Sequence, residues 1–154
     1  MMAREILFKA KRIDNGEWVE GGYYHKTDYY GMECEEYYIV DGKITDGEGY
    51  GEHYLVDANT ICQYTGLTDK NGNKIWENDV VKTSVGNALV IYVTDAIYFN
   101  KYNTGFIIRF ADDVSNRNYR HDLAYWIKFD SKNGVIGNIF DNPELLVATT
   151  GGAE

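Results

Sequence analysis

The chain has 154 residues, with 16 glycines against one proline, 14 tyrosines and a formal net charge of −9. That length can bury one ordinary core without metal or disulfide staples, and the composition excludes disordered, collagen-like and coiled-coil chains. The acidic balance sets the field of the molecule against phosphate backbones and anionic lipid, which disfavours non-specific nucleic-acid binding.

In chain order, the first dozen residues carry Arg4, Glu5, Lys9, Lys11 and Arg12, which interrupt any apolar stretch of signal-peptide length. The most continuous apolar run, 88–93, is far short of the ~20 residues of a membrane-spanning helix. A cytoplasmic protein with no membrane partner is expected. Cys34 and Cys62 are too few for a secreted disulfide framework and read as reduced thiols, with one bridge as the alternative.

Turn dipeptides are the strongest local signals. Asn15-Gly16, Asp41-Gly42, Asn71-Gly72 and Asn133-Gly134 each separate apolar or aromatic segments, as primed two-residue hairpin turns do. A looser turn, Asn103-Thr-Gly105, divides 96–99 from 106–110. Segments 17–20, 37–40, 74–76, 80–81, 89–93, 125–129 and 135–136 are rich in Val, Ile, Tyr, Phe and Trp and are read as strands. The one helix signal is Asn142-Pro143-Glu144, with an N-cap, a proline at the first helical position and an acid near the positive end of the dipole. A turn into a last strand is the alternative there.

Charge is uneven along the chain. Residues 1–20 sum to zero, 21–61 to −7 and 62–154 to −2. The acidic stretch also holds most of the tyrosines, with the adjacent pairs Tyr23-Tyr24, Tyr29-Tyr30 and Tyr37-Tyr38 and the acids Glu33, Glu35 and Glu36. In a strand, adjacent side chains point to opposite faces, so each pair is expected to send one ring inward and one outward. Tyrosine is enriched in protein interfaces because its ring buries area while its hydroxyl keeps a partner. These nine residues are therefore candidates for partner binding. Base stacking would also need cations along a backbone, and residues 21–61 supply only Lys26 and Lys43.

Other constellations are weaker. Asp69-Lys-Asn-Gly-Asn73 resembles a calcium loop, but glycine falls at the fourth position and Val80 at the twelfth, where the loop needs glycine sixth and a bidentate acid last. No two of His25, Cys34, His53, Cys62 and His121 stand at zinc-site spacings. Asp112, Asp113, His121 and Asp122 could equip a hydrolase or nuclease, although Arg117 and Arg120 beside them suit a charged surface loop. Lys70, Lys74, Lys82 and Arg109 could form a local basic patch. No phosphate-cradling glycine motif is present, and no metal or cofactor is expected.

Three blocks stand together in the sequence: Arg4-Glu-Ile-Leu-Phe-Lys-Ala10 with Gly16-Glu-Trp-Val-Glu-Gly21; the stretch 57–81, through Gln63-Tyr-Thr-Gly-Leu67 and Asp69-Lys-Asn-Gly-Asn73 to Asn78-Asp-Val-Val81; and Val135-Ile-Gly-Asn-Ile-Phe-Asp-Asn-Pro-Glu-Leu-Leu146. Their order and content resemble the YopX family, small proteins of bacteriophages and prophages. Asn78 departs from that family's pattern, which has glycine before the aspartate. Asparagine tolerates a left-handed backbone, so the turn survives. The resemblance implies a mostly β domain of phage origin and no catalytic residue.

The expected architecture is a single mostly β domain over 1–148. It comprises a hairpin-rich β extension at 1–66, a partly open SH3-like barrel at 67–148 with at most one short C-terminal helix, and a frayed tail at 149–154. Asn15, Gly16, Asn71, Gly72, Asn78, Asp79, Asn133 and Gly134 are expected as turn residues. Gly137 and Asn138 are expected to bulge a strand so that Ile136 and Ile139 stay in the core. The expected function is non-enzymatic, a phage accessory protein acting through a protein partner or self-association. The rivals are an acidic nucleic-acid mimic, with its carboxylates arrayed on one face, and the hydrolase or nuclease.

Overall fold

A computed structural model describes residues 5–27, 35–41, 51–93, 105–110 and 121–147. The chain is mostly β and divides into two compact units, residues 1–64 and 65–154.

The first unit contains β1 (Phe8–Lys11), β2 (Trp18–Thr27), β3 (Glu35–Val40), β4 (His53–Leu55) and the start of β5 (Cys62–Thr68). They hydrogen-bond in the antiparallel order β4-β3-β2-β1-β5. Ala10, Ile39 and Val56 are fully buried, with Phe8, Val19, Tyr37, Tyr54 and Ile61 packed around them. Burial of an isoleucine the size of Ile39 contributes about 1.5–3 kcal/mol. A 3₁₀ turn at Ala58–Thr60 leads into β5, with the Asp57 carboxylate accepting from the Asn59 N–H.

In the second unit, the rest of β5 pairs with β6 (Lys74–Trp76). A five-stranded antiparallel sheet follows in the order β10-β9-β8-β7-β11, built from β7 (Asp79–Thr83), β8 (Gly86–Val93), β9 (Gly105–Phe110), β10 (His121–Asp122) and β11 (Gly134–Asn138). β10 and β11 end it, so the sheet is open. Its core is Ile75, Val81, Ala88, Val90 and Ile108, together with Leu123 and Trp126 from α1 (Leu123–Phe129). A 3₁₀ turn, Pro143–Leu146, is tied to β8 by the Asn87 Nδ2–H donating to the Leu145 carbonyl at 2.9 Å.

The turns differ from their sequence reading. Among the described residues, Asn78 is the single non-glycine with positive φ, so Asn15 and Asn71 do not occupy primed two-residue turns. At Asn15-Gly16 the Arg12 N–H donates to the Glu17 carbonyl and the Gly16 N–H to the Arg12 carbonyl, which makes a four-residue loop with glycine alone left-handed. At Asn71-Gly72 a turn from Asp69 to Gly72 precedes the left-handed glycine in the same way. Val40 faces His53 and the Asp41 N–H donates to the Glu52 carbonyl, while Gly42 of the expected Asp41-Gly42 turn lies outside the described residues. Asn133-Gly134 joins α1 to β11 instead of joining two strands.

Residues 125–129, read as a strand from their aromatic content, are helical. The Asp122 side chain caps α1 by accepting from the Tyr125 N–H at 3.1 Å, and Leu123 and Trp126, three apart, share the buried side. Asn142 makes no side-chain cap, and Pro143 opens only the 3₁₀ turn. β11 does bulge between Val135 and Gly137. Ile136 is the extra residue there, and it is 40% exposed instead of buried. The 96–99 strand and its turn at 103–104 lie outside the described residues.

Candidate functional site: an aromatic sheet face

The register of β2 against β3 decides where the tyrosines go. Tyr24 faces Tyr38, Tyr23 faces Ile39 and His25 faces Tyr37. The pairs therefore split by face, as alternation requires. Tyr23 and Tyr37 lie on the face that carries Ile39, where Tyr23 meets Phe8 at 5.7 Å and His25 stacks on Tyr37 at 4.9 Å. The Tyr37 hydroxyl donates to Glu35 at 3.1 Å, which pushes the Tyr37 pKa up because the carboxylate favours the protonated phenol.

The opposite face holds Tyr24 stacked on Tyr38, with centroids 5.0 Å apart and planes 12° from parallel. The Tyr24 hydroxyl meets His53 Nδ1 at 2.7 Å, and the Tyr38 hydroxyl donates to Glu36. Trp18, on the same face two positions beyond Gly22's neighbour Glu20, is topped by the ammonium groups of Lys9 at 4.6 Å and Lys11 at 5.5 Å. Such cation–π contacts contribute about 0.5–1 kcal/mol each at exposed sites. Tyr24 is 37% and Leu55 40% exposed on this face. β1 thus delivers two lysines to the tyrosine face, a contribution that the composition of residues 21–61 does not contain.

Glu35 and Glu36 fall on opposite faces of β3, whereas a nucleic-acid mimic needs its acids on one. Asp57 is engaged in its turn cap. Tyr29, Tyr30, Glu33 and Cys34 lie outside the described residues. The buried Cys62 Sγ donates to the Thr60 carbonyl at 3.2 Å.

The turn residues do structural work. Asp69, 5% exposed, accepts from the N–H groups of Asn71 and Asn73 at 2.9 Å and from the Val135 N–H at 3.0 Å. Burial opposes its ionisation, but these donors outweigh burial and hold its pKa below the ordinary carboxyl value. A carboxylate satisfied this way is a turn lock. Asn133 completes the clasp: its Oδ1 accepts from the Lys70 N–H, and its Nδ2 donates to the Ile127 and Asp130 carbonyls. Asp79 accepts from the Trp76 N–H at 2.8 Å, and Asn138 accepts from the Phe140 and Asp141 N–H groups.

Of the hydrolase residues, Asp122 is the one whose side chain is described. The Asp122 carboxylate caps α1, the backbone of His121 pairs with Ile108, and Asp112 and Asp113 lie outside the described residues. Of the basic set, Lys82 and Arg109 share one sheet face by register, and Lys70 Nζ donates to the Ser131 carbonyl at 3.0 Å. No group of three His, Cys, Asp or Glu side chains among the described residues could hold a metal ion. No helix among them is long and apolar enough to cross a membrane.

Comparison with curated proteins gives no match. A protein family described as YopX protein matches residues 7–147. That span takes in both units, and the chain belongs to the YopX family.

Proposed function

We propose that this YopX-family chain is a non-enzymatic phage or prophage accessory protein, working in the host cytoplasm, that binds a protein partner on the aromatic face of its first unit. The observation that carries the reading is the Tyr24–Tyr38 stack, which shares one side of the sheet with Trp18 farther along β2. Rigid aromatic rings with polar tips are the side chains that dominate binding energy in protein interfaces. The open five-stranded sheet of the second unit serves, in this reading, as the SH3-like scaffold. Affinity capture from host cells producing the phage, with wild type and with Tyr24→Ala plus Tyr38→Ala, tests the proposal. Partners retained by wild type and lost by the double variant are the expected result. An identical set of retained proteins overturns it.

A second reading, single-stranded nucleic acid on the same face, draws support from Lys9 and Lys11 over Trp18. Cross-strand placement of Glu20 beside Lys9 and Glu36 beside Lys26 offsets those cations. Salt-sensitive gel shifts with short oligonucleotides decide between the two, since binding that weakens steeply with salt belongs to phosphate contacts.

A further inference from the structure

In an antiparallel sheet the backbone groups of successive residues turn to opposite edges of the strand, and the bonds around β3 fix which residues of β2 turn outward. The Val56 N–H donates to the Tyr37 carbonyl at 2.9 Å and the Asp41 N–H to the Glu52 carbonyl at 2.8 Å. Tyr37 and Ile39 therefore direct their backbone groups to the β4 side, whereas Glu36 and Tyr38 bond Lys26 and Tyr24 of β2. It follows that Tyr23, His25 and Thr27 direct their N–H and C=O groups to the other edge of β2. β1 covers that edge only as far as Gly21, opposite Phe8. Leu7 then turns its carbonyl to the Tyr64 N–H of β5 at 2.8 Å. From Tyr23 to Thr27 the outer edge has no strand partner among the described residues, and Gly22 to Lys26 are exposed. An uncovered edge of this kind is a template for a further strand.

We propose that this edge pairs antiparallel with the same edge of a second copy of the chain, about a two-fold axis through His25. A two-fold interface must be complementary to itself, and the register meets that demand. His25 faces His25 of the second copy and Tyr23 faces Thr27, so outward N–H groups meet outward C=O groups at each of these positions. Between them Tyr24 faces Lys26 of the second copy, on the side of the sheet that carries the Tyr24–Tyr38 stack. An ammonium group against that ring adds a cation–π contact. Charge also favours a copy of this chain. Residues 22–27 contain no acid, although residues 21–61 sum to −7, so two acidic molecules meet here without opposed carboxylates. The result is one continuous sheet running β3-β2-β2-β3 with both Tyr24–Tyr38 stacks on the same side. Self-pairing of this edge stands on the ladder geometry and does not depend on a host partner.

Sedimentation velocity on the full chain, with amide hydrogen exchange on the same samples, tests the proposal. The expected mass is twice 17.6 kDa for wild type, falling to the single-chain mass for His25→Pro. Proline removes the outward N–H at the axis and leaves the bonds of Tyr24 and Lys26 to β3 in place, so circular dichroism should match wild type. His25→Ala keeps that N–H and should stay dimeric, as should Tyr38→Ala, whose ring lies one strand back from the edge. In wild type the Tyr23, His25 and Thr27 amides should gain protection as protein concentration rises. A wild-type monomer up to the millimolar range overturns the proposal, as does a dimer that survives His25→Pro or leaves those amides unprotected. Loss of the dimer in His25→Ala overturns it by placing the contact in the imidazole, and loss in Tyr38→Ala overturns it by moving self-association to the ring face. Protection of the same amides in a monomer gives the edge to another segment of the same chain and overturns it too.

Discussion

Asn78 has φ of 71°, a left-handed backbone that costs most side chains about 1–2 kcal/mol. Its N–H donates to the Val90 carbonyl and its carbonyl accepts from the Ile139 N–H, so the turn cannot relax without breaking contacts to two other segments. Asn78→Ala should lower unfolding free energy by about 1 kcal/mol, and Asn78→Gly should hold it level or raise it slightly. Urea titration of the two variants checks this, and equal losses in both would mean that the side chain matters more than the conformation. The need for a left-handed residue before Asp79 was legible in the sequence. The clasp of Asn133 onto Lys70 was not, because its partners are 63 positions apart and no dipeptide carries that information.

At the scale of elements, α1 shows why composition misleads. Tyr125, Trp126, Ile127 and Phe129 favour strands, and seven residues are too few for a helical period to outvote them. The cap was present in the sequence all the same: Asp122 stands three before the N–H it satisfies. Asp122→Ala should cost about 1 kcal/mol and loosen Trp126 from the core; thermal melts followed by tryptophan fluorescence will show a lower midpoint if the cap holds α1. The β7–β8 turn was missed for the converse reason, since Ser84-Val85 is no turn dipeptide and the Thr83 hydroxyl makes the turn by donating to the Gly86 carbonyl at 2.7 Å. The aromatic face was half legible. Alternation separates Tyr23 from Tyr24, but only the register of β1 on β2 brings Lys9 and Lys11 beside Trp18.

For the whole molecule, depressed carboxyl groups set the pH response. Asp69 and Asp130 titrate below the ordinary value, in each case because backbone and side-chain donors overcome the opposing effect of burial; the Ser84 N–H and hydroxyl are among those serving Asp130. A carboxyl whose folded pKa is depressed adds stability that is fully present above its unfolded pKa and is lost as pH falls through the folded one. Stability should therefore hold level from neutral pH to about 5 and decline below roughly 4. Asp69→Asn should be weaker by about 1–3 kcal/mol at neutral pH and decline less steeply in acid. Parallel slopes for the two proteins in urea titrations across that range would remove Asp69 from the account. Asp14, ion-paired with Arg12 in full solvent, adds little because water and salt screen it.

The Asp69 clasp also bears on the order in which the chain folds. Its bond to Val135 spans 66 positions, and closing a loop of that length costs about 4 kcal/mol of chain entropy before the contact returns anything. The β5–β6 hairpin needs only local closure and can form first, presenting a ready carboxylate to the returning strand. On that order the clasp closes on the native side of the folding barrier. Asp69→Asn should accordingly speed unfolding and leave the refolding rate nearly unchanged, so this buried, fully bonded acid acts as a latch against opening.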